Sequence, residues 1–384
     1  MMKPHIWSEP AAFILGCIIG HGAALAQAPP SATYTLHVGD SPHSVANGVI
    51  FGGKSFWVAV VNPDASVVEK ISRAGQVLAI AGVGGDPVEM AYDGANIWVT
   101  DYASSDVQVI DQRGVVVNIF YLPHGTNPEG IAFDGKYIWT ANNGANTNSV
   151  SKFDVATQRL VATYPVGLAP DGVAYDGSYV WVTNSYGNDV WVLNRDTGQR
   201  IGAHPTGLFP LSIIYDGQNM WIGNGIGVNV GTQISAKSSL TKIRAADGAA
   251  LGTFTIGNHV RGLVSDGASI WACNSNDNTV SRLRISDDAL LGTYRTGKEP
   301  RSIAFDGANI WVANSGEDSV TILASEPIVR TASHCASATR RLAPAGRLAC
   351  AYPITELAPV TGQAASAPVQ GRRASAASSS LLLN

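Results

Sequence analysis

Residues 175–190 read YDGSYVWVTNSYGNDV, and residues 305–320 read FDGANIWVANSGEDSV. Both phrases run from an Asp-Gly pair through an aliphatic-Trp-aliphatic triplet to an Asn three residues past the Trp. Seven of the nine tryptophans, Trp57, Trp98, Trp139, Trp181, Trp221, Trp271 and Trp311, stand at this place, at intervals of 41, 41, 42, 40, 50 and 40 residues. A period near 40 residues marks a repeat architecture, and four short strands per unit fit that length.

A second marker keeps step with the first. A Gly stands three residues before a Pro at Gly39/Pro42, Gly84/Pro87, Gly125/Pro128, Gly167/Pro170, Gly207/Pro210 and Gly297/Pro300, with Val260 in the Pro place after Gly257. From the Pro place to the Trp is 11 residues in every unit but the first, where Pro42 to Trp57 is 15, so the first unit carries an insertion. Within the third unit, strands are expected at Gly130 to Phe133, Ile138 to Ala141, Val150 to Phe153 and Leu160 to Val166. Asp134-Gly135 is the hairpin turn, because Gly accepts the positive φ that paired, twisted strands demand. Such a four-stranded blade has two apolar faces, and only radial stacking buries both.

The last unit stops after a third strand at Val320 to Leu323, while Ala32-Thr33-Tyr34-Thr35 matches the fourth-strand phrases Ala162-Thr163-Tyr164 and Gly292-Thr293-Tyr294. The expected fold is therefore all-β, a seven-bladed β-propeller closed by the N-terminal strand. In the fifth unit the stretch GIGVNVGTQISAKSS after Asn224 lengthens the period by ten residues. That predicts an extra loop over one end of the central channel, and its Gly225, Gly227 and Gly231 favour mobility.

The chain has 384 residues, and the repeat spans nearly all of residues 32 to 325, leaving no room for a second core. Charged residues make up 14% and the net charge is −4, so no basic stripe points to nucleic acid. Residues 1–28 read as a secretory signal peptide: Lys3 precedes the apolar run AAFILGCIIG, and Ala-x-Ala sites follow. Residues 29–326 form the propeller, and residues 327–384, rich in Ala, Ser and Arg, read as a flexible tail. The expectation is a periplasmic or secreted monomer with no membrane span after signal removal. Among the four cysteines, Cys273 falls on a buried strand, and Cys335 and Cys350 could pair in an oxidising compartment.

The run Tyr179-Val180-Trp181-Val182-Thr183-Asn184, continued by Asp189-Val190-Trp191-Val192, resembles the YVTN family of bacterial β-propeller repeats. The whole unit, from Gly-x-x-Pro through Asp-Gly to Trp-Val-x-Asn, is similar to the repeat of the streptogramin (virginiamycin B) lyase group and the related NHL propellers. The lyase resemblance implies metal-assisted elimination by a His after the Pro, a Glu four residues past the Trp and a Glu just before the Pro. This chain has Glu299 before Pro300, but Arg301 replaces the His and Ser315 the second Glu. Pro42-His43 supplies a His in the first blade, with Val61 in the Glu place.

Loops from every blade converge on one mouth of the channel. The residue after the Pro marker reads His43, Val88, Glu129, Asp171, Leu211, Arg261 and Arg301, far less uniform than its framework. Acids face arginines across such a mouth, which can orient a zwitterionic or anionic ligand, or can simply pair as a structural network. A ring of Asn residues, Asn184 and Asn314 among them, offers amides to a ligand or closes turns through backbone hydrogen bonds. His259, with His43 and Asp171, forms at most a sparse donor set for a divalent cation. The resulting expectation is a non-catalytic platform for a small ligand or an envelope protein, without a cofactor. The alternative is a divalent-metal-dependent lyase or lactone hydrolase.

Overall fold

The computed structural model describes residues 33–39, 43–145, 147–225, 229–230, 233–234 and 238–325. The leader at 1–28, the tail at 327–384 and the cysteines Cys335 and Cys350 lie outside them. Seven four-stranded antiparallel sheets follow one another along the chain. In the third blade the strands are Pro128–Phe133, Tyr137–Asn142, Ser149–Asp154 and Arg159–Pro165, from the channel outward. The seventh blade takes its outer strand from Thr33–His37, which pairs antiparallel with Ser319–Ala324, Thr33 opposite Leu323 and His37 opposite Ser319. The ring therefore closes by sheet hydrogen bonds between the two ends of the repeat.

The repeated phrase has a direct physical cause. In blade 4, Asp176 Oδ1 accepts from the amides of Ser178 and Tyr179, at 2.7 Å each, while Oδ2 accepts from the indole Nε1 of Trp181 at 2.7 Å. The same bond joins Trp98 to Asp93, Trp139 to Asp134, Trp221 to Asp216 and Trp271 to Asp266. One carboxylate thus closes the hairpin turn and satisfies the only polar atom of a buried Trp. The first blade has Gly52-Gly53 instead of Asp-Gly, and there the indole nitrogen of Trp57 has no partner while Lys70 Nζ stands 5.1 Å from its ring. Fourth-strand rings stack on the same tryptophans, Phe120 on Trp98, Tyr164 on Trp139 and His204 on Trp181.

Cations fasten one blade to the next. Lys152, cross-strand from Trp139, is buried and sends Nζ to the carbonyls of Arg195 at 2.7 Å and Asp196 at 3.1 Å in blade 4. Arg195 returns the tie to Asp134 at 3.1 Å. Lys242 in blade 5 reaches Asp288 of blade 6 at 2.6 Å. Nothing in the 40-residue period announces these ties, because they join positions on different units. Cys273 is buried, and burial pushes its thiol well above the ordinary range.

The Asn ring and the Gly marker explain each other. Asn184 and Asn314 are fully buried inside their blades, and their Nδ2 atoms donate to Asp189 at 2.8 Å and to Ser319 and Thr321 at 2.9 and 3.0 Å. A Cβ on Gly167 would overlap the Asn184 side chain, so the Gly is required by close approach.

Replacing Asp176 by Ala strands the buried Trp181 indole and opens the turn. The expected loss is about 2 kcal/mol of unfolding free energy in urea titration of the full chain. A loss below about 0.5 kcal/mol would show that the aspartate contributes no more than an exposed surface residue.

Candidate functional site

A bulge interrupts the pairing of every inner strand. The pairing slips between Pro128 and Ile131, between Pro170 and Val173, between Val260 and Leu263 and at the matching place in the other blades. The extra residue re-aims Glu129, Asp171, Arg261 and Arg301 toward the axis. All four line one cavity of about 550 Å³, walled by the inner strands of all seven blades. Beneath the charged layer lies an apolar one, with Met90, Ile131, Val173, Ile213, Leu263 and Ile303 among its residues.

Blade 1 differs from the sequence expectation. Ala46 pairs with Val60 just as Pro128 pairs with Asn142, and Ala46 lies 11 residues before Trp57. The insertion therefore sits in the loop before Ala46, and Asn47, which does not line the cavity, takes the register position that the Pro42 spacing assigned to His43. Asn47 is buried and donates to Asp86 Oδ1 at 3.0 Å, while His43 is exposed and does not line the cavity. Asn184 and Asn314, buried within blades 4 and 7, do not line it either.

Glu89 is the group that the spacing missed. It lies two residues past Pro87, at the place where blade 3 has Gly130, and it lines the cavity. Ser302 donates to its Oε2 at 3.3 Å. The channel walls surround this carboxyl, and the residue is half-buried. Burial, reinforced by Glu129 against the pull of Arg301 and Arg261, raises its pKa to about 7. Burial and then Glu129 hold Asp171 well above the usual carboxylate range, against Arg261 and Arg301.

The two arginines behave differently. Arg301 Nη2 is paired with Glu129 Oε1 at 2.8 Å. Arg261 makes no ion pair: its Nε donates to His259 Nε2 at 2.9 Å, and its two Nη atoms have no partner among the described residues. His259 Nδ1 is 2.7 Å from the carbonyl of Gly225, which can only accept, so Nδ1 carries the proton and Nε2 is the acceptor for arginine. Burial, then the charge of Arg261, lowers the pKa of His259, consistent with a neutral ring. The imidazole is a bracket that turns the free end of a guanidinium into the channel.

The donor set of metal-assisted elimination is not assembled. Arg301 is engaged with Glu129, Ser315 Oγ donates to the Glu299 carbonyl at 2.9 Å, and both nitrogens of His259 are in use. Among the described residues no three His, Cys, Asp or Glu side chains converge to hold a metal ion. Within the inserted segment of blade 5, Asn229–Val230 pairs with Gln233–Ile234 as a short hairpin. Among the described residues no helix is long and apolar enough to cross a membrane.

The mouth also shows an unusual backbone. The residue before the Pro marker has positive φ in five blades, at Asn127, Ala169, Phe209, His259 and Glu299, with φ of 48, 51, 58, 59 and 51°. A side chain there costs about 1 kcal/mol unless it is Asn or Gly.

No protein-family model and no curated protein matches this chain. Solved structures do. A catalytically inactive virginiamycin B lyase from Staphylococcus aureus with quinupristin aligns with a TM-score of 0.64 at 17% identity, covering 76% of this chain and 99% of that one. A streptogramin B lyase structure gives 0.61 at 17% identity, over 76% and 97%. Hydrazine synthase from Kuenenia stuttgartiensis gives 0.64 at 18%, over 75% and 97%. The fold is a seven-bladed β-propeller. In that arrangement it is similar to the streptogramin lyases and equally to hydrazine synthase.

The raised pKa of Glu89 predicts a pH dependence. Its contribution to stability is complete below the unfolded value near 4.5 and is lost as pH rises through about 7, because only the folded state retains the proton. Above pH 7 the ionised group costs on the order of 2 kcal/mol, channel water screening part of the penalty. Glu89→Gln is expected to remove this part of the fall, gaining stability at pH 8 relative to pH 5 in urea titrations. An unchanged slope would contradict the placement of Glu89.

Proposed function

We propose that this chain is a non-catalytic binding platform that takes an anionic or zwitterionic group of a small ligand or of an envelope protein into its channel mouth. One observation carries the reading: Arg261, bracketed by His259, presents two unpaired Nη atoms to a cavity of about 550 Å³. A planar guanidinium with two free nitrogens suits a carboxylate, which it grips bidentately. Glu129 is paired with Arg301, and burial raises the pKa of Asp171 and of Glu89, which lessens the negative charge that faces Arg261. The cavity size lies within the range of small-molecule sites. Export through the leader at residues 1–28 belongs to the same reading, since the envelope is where such a partner would be met.

The test is a thermal-shift panel on the full chain with acetate, succinate and glycine betaine, and with Mg²⁺, Ca²⁺ and Mn²⁺. Carboxylates are expected to raise the melting temperature, and Arg261→Gln to abolish the rise. A rise with a divalent cation, reversed by chelation and indifferent to Arg261→Gln, would overturn this reading in favour of metal-dependent lyase chemistry.

A further inference from the structure

The seven blades act as internal controls for one another, and one sector of the mouth departs from the rest. After the marker Gly stand Gly85, Thr126, Asn258 and Lys298 in blades 2, 3, 6 and 7, but Leu168 and Leu208 in blades 4 and 5. Five residues past the Trp stand Ala103, Gly144, Asn276 and Gly316 in blades 2, 3, 6 and 7, but Tyr186 in blade 4. At the positive-φ position Phe209 occupies a conformation that Asn127 adopts more cheaply in blade 3. Leu168, Leu208 and Tyr186 are 57, 40 and 69% exposed, although water gains nothing from them.

Leu168, Tyr186 and Phe209 are linked in one shelf, with Leu208 next to Phe209 in the chain. The Tyr186 amide donates to the Leu168 carbonyl at 3.3 Å, and the Tyr186 ring meets the Phe209 ring edge-on at 5.3 Å. The shelf is tied to Arg261 by three short hydrogen bonds. The Gly225 amide donates to the Phe209 carbonyl at 2.7 Å, His259 Nδ1 donates to the Gly225 carbonyl at 2.7 Å, and Arg261 Nε donates to His259 Nε2 at 2.9 Å. An exposed apolar surface and a free guanidinium are thus held in fixed register on the same rim.

We infer that the ligand of this mouth is an apolar carboxylate, one whose acid group is borne beside an aromatic or branched aliphatic group. Arg261 takes the carboxylate, and Leu168, Tyr186, Leu208 and Phe209 cover the apolar part. The inference rests on the anion-binding reading of Arg261 and adds the chemical class of the ligand. The charges fit: burial raises the pKa of Asp171, the acid nearest this sector in sequence, which lessens its repulsion of a carboxylate. Phe209 shares its positive φ with Ala169, His259 and Glu299, and only Asn or Gly would relieve it.

The experiment is isothermal titration of the full chain with N-acetyl-L-phenylalanine, N-acetylglycine and N-acetyl-L-phenylalaninamide. The phenylalanine acid is expected to bind on the order of tenfold more tightly than the glycine acid. Phe209→Asn is expected to erase that preference while leaving the melting temperature near that of the parent, because Asn suits the positive φ. Equal affinity for the two acids, both lost in Arg261→Gln, overturns the shelf and leaves the anion-binding mouth standing. An amide that binds as well as its acid, or no binding by either acid, overturns the mouth and the shelf together.

Discussion

Neighbouring inner strands of this ring approach backbone to backbone, and the channel follows from that contact. A Cβ on Gly130 would collide with the main-chain carbonyl of Asp171 in the next blade, and one on Gly172 would press on that of Leu211. At Gly130, Gly172 and Gly262 the neighbouring backbone leaves no room for a side chain. The bulge beside each of these positions turns the preceding residue, Glu129, Asp171 or Arg261, toward the axis. Glu89 stands where blade 3 has its Gly, and the wall gains one more acid there than the pattern provides.

The fold was legible in the sequence because in five blades a single carboxylate serves a turn and an indole at once, although Trp311 of the last blade has no partner on its indole nitrogen. That requirement fixes Asp, Gly and Trp at constant spacing, and repetition makes the spacing visible. Ring closure was legible for a related reason, since Thr33–His37 carries the pattern of a fourth strand and pairs as one. Blade 1 misled because Pro42 matched the marker by residue type, whereas the strand register selects Ala46. The period cannot distinguish a Pro in a lengthened loop from one that opens a strand.

The site was legible in part. Four of the channel residues follow from counting one place past the Pro, and the structure brings all four to one cavity. Asn184 and Asn314 were candidates because they recur at a loop, yet they recur because each donates to the neighbouring strand of its own blade. The bracket of Arg261 by His259 was hidden for the opposite reason: it occurs once and depends on the Gly225 carbonyl, which no spacing rule encodes. Where every blade agrees, the cause is the scaffold. Where blades differ at the mouth, as with Arg261 and the Tyr186–Phe209 pair, the scaffold does not dictate the residue.

The central claim is that Arg261 holds the free positive charge of this mouth. A crystal of the full chain grown with 4-bromobenzoate tests it most directly, through the anomalous signal of bromine. The account predicts the carboxylate on the Nη atoms of Arg261, with the bromine inside the mouth. Arg261 Nη atoms paired with a carboxylate of the chain itself, and bromine absent from the channel, would contradict it.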